Sequence, residues 1–369
     1  MAAAVTVFAA CSPGEIRVAA VEDGVLCDYA LWRPGRTDGV GDIHRGRVTA
    51  VMPGLAGAFV ALEGTDGFLP DSAGAAGRGV GDLLLVRVVR AAQGGKGPRL
   101  AAVEGDPGAG PPARLHAGPN AVERLASQHA GPVIVDDPAI AALLRPALGE
   151  RLAVGPALDD ALASQIDALA APEVALPGGL RATIHPTPAL VAIDVDTAAA
   201  SAGRVPKPAM QEALNRAMLP ALARQIRLRN LSGAILIDLA GLTVRRRAAL
   251  GDAIRHALAA DPLAPRFLAS PRFTALGLAE VLRPRIHPPL HELLAGPHAA
   301  GLAALRRIAA DADPAAPPSL RAAPGVVAAL TEDPAALPAL AHRLGRPLLL
   351  RSDPGLPPCA WVVEDMHRA

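Results

Sequence analysis

The sequence has few aromatic residues, and this scarcity already restricts how the chain can fold. Aromatic side chains make up 2% of the 369 residues, whereas hydrophobic residues make up 51% and charged residues 19%. The core must therefore consist of alanine and branched aliphatic side chains, and a disordered chain is excluded. Because domains contain roughly 100–200 residues, the length predicts two to four of them.

Cysteine is equally scarce, and no long apolar run is present. Cys11, Cys27 and Cys359 stand alone, without any Cys-x-x-Cys pair. This spacing argues against a disulfide framework or a thiolate zinc site, and it favours a reducing compartment. No apolar run reaches the roughly 18 residues of a membrane span, and the first residues lack the basic region of a signal peptide. We therefore expect a cytoplasmic protein with no membrane partner.

Lysine is also nearly absent, with 2 lysines against 34 arginines, and the net charge is only +1. The charge is nevertheless uneven, because residues 204–285 contain 13 arginines and one lysine against five acids. A locally basic module predicts a polyanionic ligand. The alternative is a solvated, arginine-rich helical face, since arginine is abundant throughout the chain.

The first third of the chain has the pattern of short strands. Residues 14–31 alternate apolar and polar side chains around Asp23-Gly24, which indicates a hairpin. Residues 41–70 and 82–91 contain further short β-rich runs separated by glycine turns, a pattern typical of a small closed barrel of the OB type. A Pro/Gly-rich stretch at 104–118 is predicted to be a linker.

The remainder reads as alternating strands and helices. Residues 132–145 predict a strand followed by a helix that begins at Asp-Asp-Pro. Two apolar strands at 189–196 and 233–242 are separated by a helical segment at 206–230, which would connect them as a crossover. Another helix is predicted over 243–260. The tail from residue 301 predicts a small α+β domain.

Each of these two apolar strands ends in an acid, Asp194 in LVAIDVD and Asp238 in AILIDLA. A carboxylate within a hydrophobic run is costly to bury unless it is paired or binds a cation. Because ligands bind at the carboxyl ends of strands in α/β sheets, the two acids are candidates for a Mg²⁺ site acting on a phosphodiester. The alternative is that Asp194 caps the following segment and Asp238 pairs with an arginine.

Three longer segments carry a family resemblance. They read LPGGLRATIHPTPALVAIDVDTA, RQIRLRNLSGAILIDLAGL and RFTALGLAEVLRPRI. In this order and combination they resemble the catalytic region of the ribonuclease E/G family of bacterial endoribonucleases. Residues 14–31 and 41–70 also resemble the opening strands and inserted OB-fold domain of that family.

The resemblance implies a multidomain α/β and α+β fold, with an OB-fold barrel inserted near the N-terminus, a DNase I-like α/β catalytic domain and a small C-terminal α+β domain. The implied boundaries are 1–40 for the opening strands of a ribonuclease H-like subdomain, 41–103 for the OB-fold, 104–180 for a reduced sensor and the ribonuclease H-like remainder, 181–295 for the catalytic domain, and 296–369 for the α+β domain.

The resemblance also implies the chemistry. Asp194 and Asp238 would hold Mg²⁺, or Mn²⁺ in its place, and with Asp196 they form the implied catalytic set. The substrate would be single-stranded RNA, cleaved to leave 5′-phosphate and 3′-hydroxyl ends. The side chains expected to contact RNA are Phe59, Phe68, Lys96, Arg224, Arg227, Arg229 and Arg266. Packing inside the barrel for the rings, and ion pairs for the arginines, are the structural alternatives.

The chain departs from the family pattern at four places. Asp196 stands where the family usually has asparagine, and Gly241 replaces a further acid. The cysteines that link two protomers through zinc are missing, so we expect neither structural zinc nor a zinc-linked dimer. The stretch 104–131 is too short for the family's sensor of RNA 5′ ends. A catalytically weakened RNA-binding relative is therefore the main alternative, and a ribonuclease H-like nuclease or phosphotransferase on another fold is a third.

Overall fold

A computed structural model of the chain describes residues 5–197, 208–239, 241–268, 273–311 and 318–365. The chain opens with three antiparallel strands: β1 (Thr6–Ser12), β2 (Glu15–Glu22) and β3 (Val25–Trp32). Asp23 and Gly24 join β2 to β3 with positive φ angles of 50° and 75°, so the predicted hairpin is confirmed.

The next six strands form a closed barrel with one attached strand. They are β4 (Ile43–Met52), β5 (Gly57–Ala61), β6 (Asp66–Pro70), β7 (Leu83–Arg90), β8 (Arg99–Val103) and β9 (Ala113–His116). The first five close in the order β4-β5-β6-β8-β7, and β9 pairs with β4. The closed five-stranded barrel fits the predicted OB-like domain. The interpretation of 104–118 as a linker is wrong for β9, because a four-residue strand leaves too little periodicity to detect.

The following segment extends the first sheet. Its elements are α1 (Ala121–Gln128), β10 (Val133–Val135), α2 (Pro138–Leu148), β11 (Leu152–Val154) and α3 (Asp160–Asp167). The sheet order is β11-β10-β1-β2-β3, with β10 parallel to both β1 and β11. Asp137 caps α2 through its side chain, as the Asp-Asp-Pro signal predicts.

The sheet with the candidate acids comes next. Its elements are β12 (Glu173–Leu176), β13 (Leu180–Pro186), β14 (Val191–Thr197), α4 (Pro208–Leu228), β15 (Gly233–Asp238), α5 (Val244–Ala248), α6 (Gly251–Leu258), β16 (Arg266–Phe267) and β17 (Ala279–Arg283). We call it the catalytic sheet, after the catalytic domain that the family resemblance implies, and its order is β12-β13-β14-β15-β17-β16. β14 and β15 are parallel and α4 connects them, which confirms the predicted crossover.

The helix predicted over 243–260 is instead two helices. A turn at Ala249-Leu250 separates α5 from α6, and the backbone N–H of Leu250 donates to the carbonyl of Arg247 three residues earlier. Gly251, the first residue of α6, weakens helix propensity at the break. The difference matters because α5 carries Arg247, an arginine that contacts Asp238.

One face of the catalytic sheet is covered and the other is open. Ile193 and Ile237 point into a core with Leu222 of α4 and Ile254 of α6. Side chains alternate along strands, so the neighbouring acids point to the opposite face. We call this second side the open face. It carries Arg181, Thr183, His185, Ala192, Asp194, Asp196, Ala234, Leu236, Asp238, Glu280 and Leu282, all exposed or half-buried.

The last elements are α7 (Leu290–Leu293), α8 (Gly296–Asp311), β18 (Pro318–Ala322), α9 (Pro324–Thr331), α10 (Ala336–Leu344), β19 (Leu349–Ser352) and β20 (Trp361–Asp365). They form a three-stranded sheet, β19-β18-β20, with its own core, as the small α+β pattern predicts. The described residues divide into two compact units. One contains the first and last sheets, and the other, 39–118 with 163–290, contains the barrel and the catalytic sheet. No helix in the described segments is long and apolar enough to cross a membrane.

Candidate active site

The two predicted acids are direct neighbours on the open face of the catalytic sheet. Asp194 on β14 and Asp238 on β15 are register partners in a parallel pair. Paired residues share a face of the sheet, so both carboxylates project to the same side. The strands are held in this register by the buried isoleucines that precede the acids, Ile193 and Ile237, which are also register partners. The predicted convergence of the two acids is therefore present in the fold.

Asp194 lies among like charges. Burial raises its pKa first, and the negative charge of Asp196, a hydrogen bond to Asp196 and the charge of Asp238 raise it further. His185, on the adjacent strand β13, acts in the opposite direction. Three carboxyl groups thus share one small region, and their repulsion favours either a proton or a cation between them.

Asp238 has a different environment, because it accepts a hydrogen bond from an arginine. Arg247 Nη1 lies 2.6 Å from Asp238 Oδ1. The same guanidinium donates to the carbonyls of Leu242 at 2.9 Å and Gly277 at 2.7 Å, and its side chain is only 12% exposed. Arg247 therefore holds one oxygen of Asp238 in place, while the Asp238 side chain stays 48% exposed.

The sequence pattern is compatible with an arginine partner for Asp238 but does not identify Arg247 as that partner. The signal was the run Arg245-Arg246-Arg247 directly after the strand. Which of the three arginines contacts Asp238 depends on where α5 lies after the strand. Arg246 Nη1 instead lies 3.6 Å from Glu212 Oε2. The structure thus supports one part of the structural alternative, because Arg247 pairs with Oδ1 of Asp238.

The donor set suits a hard divalent cation of the magnesium type. Mg²⁺ is commonly bound by one or two carboxylates and completes its shell with water and phosphate oxygens. Asp194 and Asp238 supply two carboxylates on adjacent strands. In the described residues no group of three or more His, Cys, Asp or Glu side chains is arranged to hold a metal ion. The chain's contribution to such a site would be this pair.

The four arginines predicted to contact RNA lie in dissimilar environments. Arg224 is half-buried, with an Nε that lacks a hydrogen-bond partner. Arg227 donates to the carbonyl of Ala260 at 2.9 Å, and Arg266 is exposed on β16. Arg229 is 5% exposed and donates to the carbonyl of Ala171 at 3.1 Å.

Arg229 is thus placed as a structural residue. Its guanidinium also donates to the carbonyl of Ala168 and to Gln225, and burial lowers its pKa. These contacts tie the end of α4 to the segment before β12. The prediction that Arg229 contacts RNA phosphate conflicts with this burial, because a buried guanidinium with three partners has no surface left for a phosphate.

The aromatic pair lies on the barrel, outside its core. Phe59 on β5 and Phe68 on β6 are register partners, with ring centroids 5.6 Å apart in an edge-to-face arrangement. Both rings are half-buried, whereas the neighbours Ala58, Val60 and Leu69 are fully buried in the barrel core. This placement disfavours the interpretation of the rings as core residues. Lys96 is exposed, just after the Gly94-Gly95 turn between β7 and β8.

The family comparison covers the catalytic sheet. A family model described as "Ribonuclease E/G family" matches residues 158–286. Ribonuclease E of Escherichia coli (strain K12) is 37% identical over 131 residues, which cover 35% of this chain and 12% of that protein. Ribonuclease E of Haemophilus influenzae is 35% identical over 131 residues, covering 14% of its length, and ribonuclease G of the same organism is 45% identical over 49 residues.

A carboxylate pair on parallel strands beside an OB-like barrel is thus accompanied by a family match over the same sheet. The similarity to the ribonuclease E/G family extends over residues 158–286, which contain the catalytic sheet. The matched segment spans about an eighth of the ribonuclease E relatives.

Proposed function

We propose that this protein is a Mg²⁺-dependent endoribonuclease that cleaves single-stranded RNA to leave 5′-phosphate and 3′-hydroxyl ends, with Mn²⁺ as a substitute ion and the cytoplasm as its location. The observation that carries the proposal is the pairing of Asp194 with Asp238 on the open face, inside the segment that the family model matches. The relatives are named ribonuclease E and ribonuclease G, and RNA cleavage comes to this chain from those names as a hypothesis. A DNase I-like architecture of the catalytic domain remains an expectation from the resemblance.

Asp194 and Asp238 are the residues that would hold the cation. A divalent cation supplies an activated water and offsets the charge of a phosphodiester. Arg247 keeps one oxygen of Asp238 fixed through its 2.6 Å contact, so the other is presented in a defined direction. Asp196 adds negative charge beside Asp194, which strengthens attraction for a cation and repulsion for phosphate.

The barrel is the proposed site of RNA binding. Phe59 and Phe68 expose ring surface on one side of the barrel, where unstacked bases are able to stack. Lys96 at the β7–β8 turn would contribute a positive charge. Arg224 and Arg227 on α4 remain candidates for phosphate contacts.

The decisive experiment compares Asp194→Asn and Asp238→Asn with the unmodified chain. Cleavage of a fluorogenic single-stranded RNA in Mg²⁺ should fall by orders of magnitude in both variants, while RNA affinity stays the same or improves because a negative charge is removed. Asp252→Asn is the matched control, since Asp252 is 93% exposed on α6 and, within the described residues, forms its ion pair with nearby Arg255. Parental cleavage by either site variant would show that the assigned site is wrong.

A second candidate function is RNA binding with weakened or lost catalysis. It is favoured by the ion pair of Asp238 with Arg247, which already neutralises one of the two acids, and by Asp196. The unmodified chain would then bind RNA but not cleave it in either Mg²⁺ or Mn²⁺.

A further inference from the structure

A cavity of about 620 Å³ lies at the opposite end of β15 from Asp238. The described residues that line it include three arginines and no acid. Its lining includes Gly233, Ala234, Arg266, Leu282, Arg283 and Arg285. We call this region the basic end of the open face.

Only one of these arginines is neutralised. Arg283 is 3% exposed, and its Nε lies 2.7 Å from Asp261 Oδ2. Arg266 and Arg285 are exposed, and neither forms an ion pair within the described part of the chain. Two positive charges therefore face the cavity without a carboxylate partner.

A further arginine adds charge from the barrel. Arg90, at the end of β7, has a buried Nε without a hydrogen-bond partner. Burial lowers the pKa of Arg90, and the nearby positive charges of Arg99 and Arg285 lower it further. Positive charge gathered in this way is costly, and a bound anion would reduce that cost.

Gly233 allows Arg285 to lie directly against the sheet. Its φ angle is +83°, and an added Cβ would lie 2.4 Å from both Nε and Nη2 of Arg285. No other residue type would leave room for the guanidinium in this position. The conformation of the strand start and the placement of Arg285 are therefore coupled.

The basic end and the aspartate pair share the open face. Leu282 pairs with Ala234 on one side and with Arg266 on the other, so these three side chains form one row across the sheet. Ala234 precedes Asp238 by four residues on the same strand. At roughly 3.3 Å per residue, the two sites are about 13 Å apart along β15.

We infer that the basic end is a phosphate-binding subsite in which Arg266 and Arg285 hold a phosphate group while the aspartate pair faces another part of the same ligand. The inference rests on the proposed function, because it assigns the phosphate to an RNA backbone crossing the open face. A free phosphate or nucleotide presents the same chemistry, and the experiment separates the two sources.

The test is RNA binding by the full chain in EDTA, where cleavage does not occur. The double variant Arg266→Gln/Arg285→Gln should bind a labelled single-stranded RNA about tenfold more weakly in fluorescence anisotropy, which corresponds to about 1.4 kcal/mol. The slope of log affinity against log salt should become shallower by about 1.4, or 0.7 for each lost contact. Arg307→Gln, a 68% exposed arginine on α8, is the control and should change neither value.

Two further measurements make the outcome decisive. Ala234→Phe fills the cavity without changing charge and should also weaken RNA binding. If inorganic phosphate or a mononucleotide competes with RNA for the unmodified chain but not for the double variant, the ligand of the subsite is a free phosphate and not the RNA backbone. Thermal melts should show folded variants, since losing Arg285 relieves repulsion on Arg90.

The inference is overturned if the folded double variant binds RNA, phosphate and mononucleotide as the unmodified chain does. This outcome is independent of the proposed function, because Asp238→Asn would still abolish cleavage while the salt slope stays unchanged. Conversely, a chain that never cleaves RNA but shows the predicted loss of affinity would refute the enzyme and keep the subsite.

Discussion

The barrel and the catalytic sheet each present a pair of side chains that are register partners on neighbouring strands, and the two pairs differ in what stabilises them. Phe59 and Phe68 contact each other edge to face, and this contact is favourable in itself. Asp194 and Asp238 repel each other, and the negative charge of Asp238 is one cause of the raised pKa of Asp194. Packing alone accounts for the aromatic pair, whereas two adjacent carboxylates require a positive charge nearby. The acidic pair is therefore the stronger indicator of function.

Arg247 provides part of that positive charge. Of the substitutions that distinguish the acidic pair from the aromatic pair, the removal of Arg247 should have the largest effect. Arg247→Gln should reduce turnover about 100-fold, since a displacement of about 1 Å in a catalytic group has a cost of this size. Losing the donors to Asp238, Leu242 and Gly277 should also lower the free energy of unfolding by about 1–3 kcal/mol. Single-turnover cleavage and chemical denaturation would measure the two effects.

The control for this prediction is the preceding arginine. Arg246→Gln removes the same charge from α5, but Arg246 is 42% exposed and faces Glu212. It should leave both turnover and stability nearly unchanged. Equal loss in the two variants would mean that α5 contributes only general positive charge and that the Asp238 contact has no special role.

The aromatic pair should respond differently, with an effect on affinity and not on turnover. Phe59→Ala and Phe68→Ala should each weaken RNA binding by about 1–3 kcal/mol if the rings stack on bases. Phe59→Leu and Phe68→Leu keep apolar volume without a ring, so they should preserve stability while losing the same affinity. If the leucine variants bind RNA as the unmodified chain does, the rings serve the barrel and not the ligand.

The two pairs also differ in how far the sequence could predict them. Asp194 and Asp238 end two apolar runs joined by a helical segment, and this pattern alone places both acids at one edge of a parallel sheet. Arg247 could not be selected from three consecutive arginines, because the choice depends on where the chain turns after β15. The approach of Arg285 to Gly233 joins residues 52 positions apart, and no local pattern encodes such a contact.

A substitution at Asp196, next to the acidic pair, should have the smallest effect, and that effect is on stability. Asp196→Asn removes a negative charge beside Asp194, so the pKa of Asp194 should fall. The charged groups that still act on this pKa are then Asp238, which raises it, and His185, which lowers it. A raised pKa means that the folded state keeps the Asp194 proton to higher pH than the unfolded chain. This repulsion therefore lowers stability only as pH rises above the unfolded value of about 3.9.

The variant should accordingly match the unmodified chain below about pH 3.9 and be more stable at neutral pH. The gain should stay below about 1 kcal/mol, because Asp194 and Asp196 are exposed and solvent screens their repulsion. Thermal melts in EDTA across this pH range would measure it. Added Mg²⁺ should reduce the difference between the two proteins if the cation binds at Asp194, since it would offset the same repulsion in the unmodified chain. A difference that is constant across pH would instead mean that Asp196 acts through packing and not through its charge.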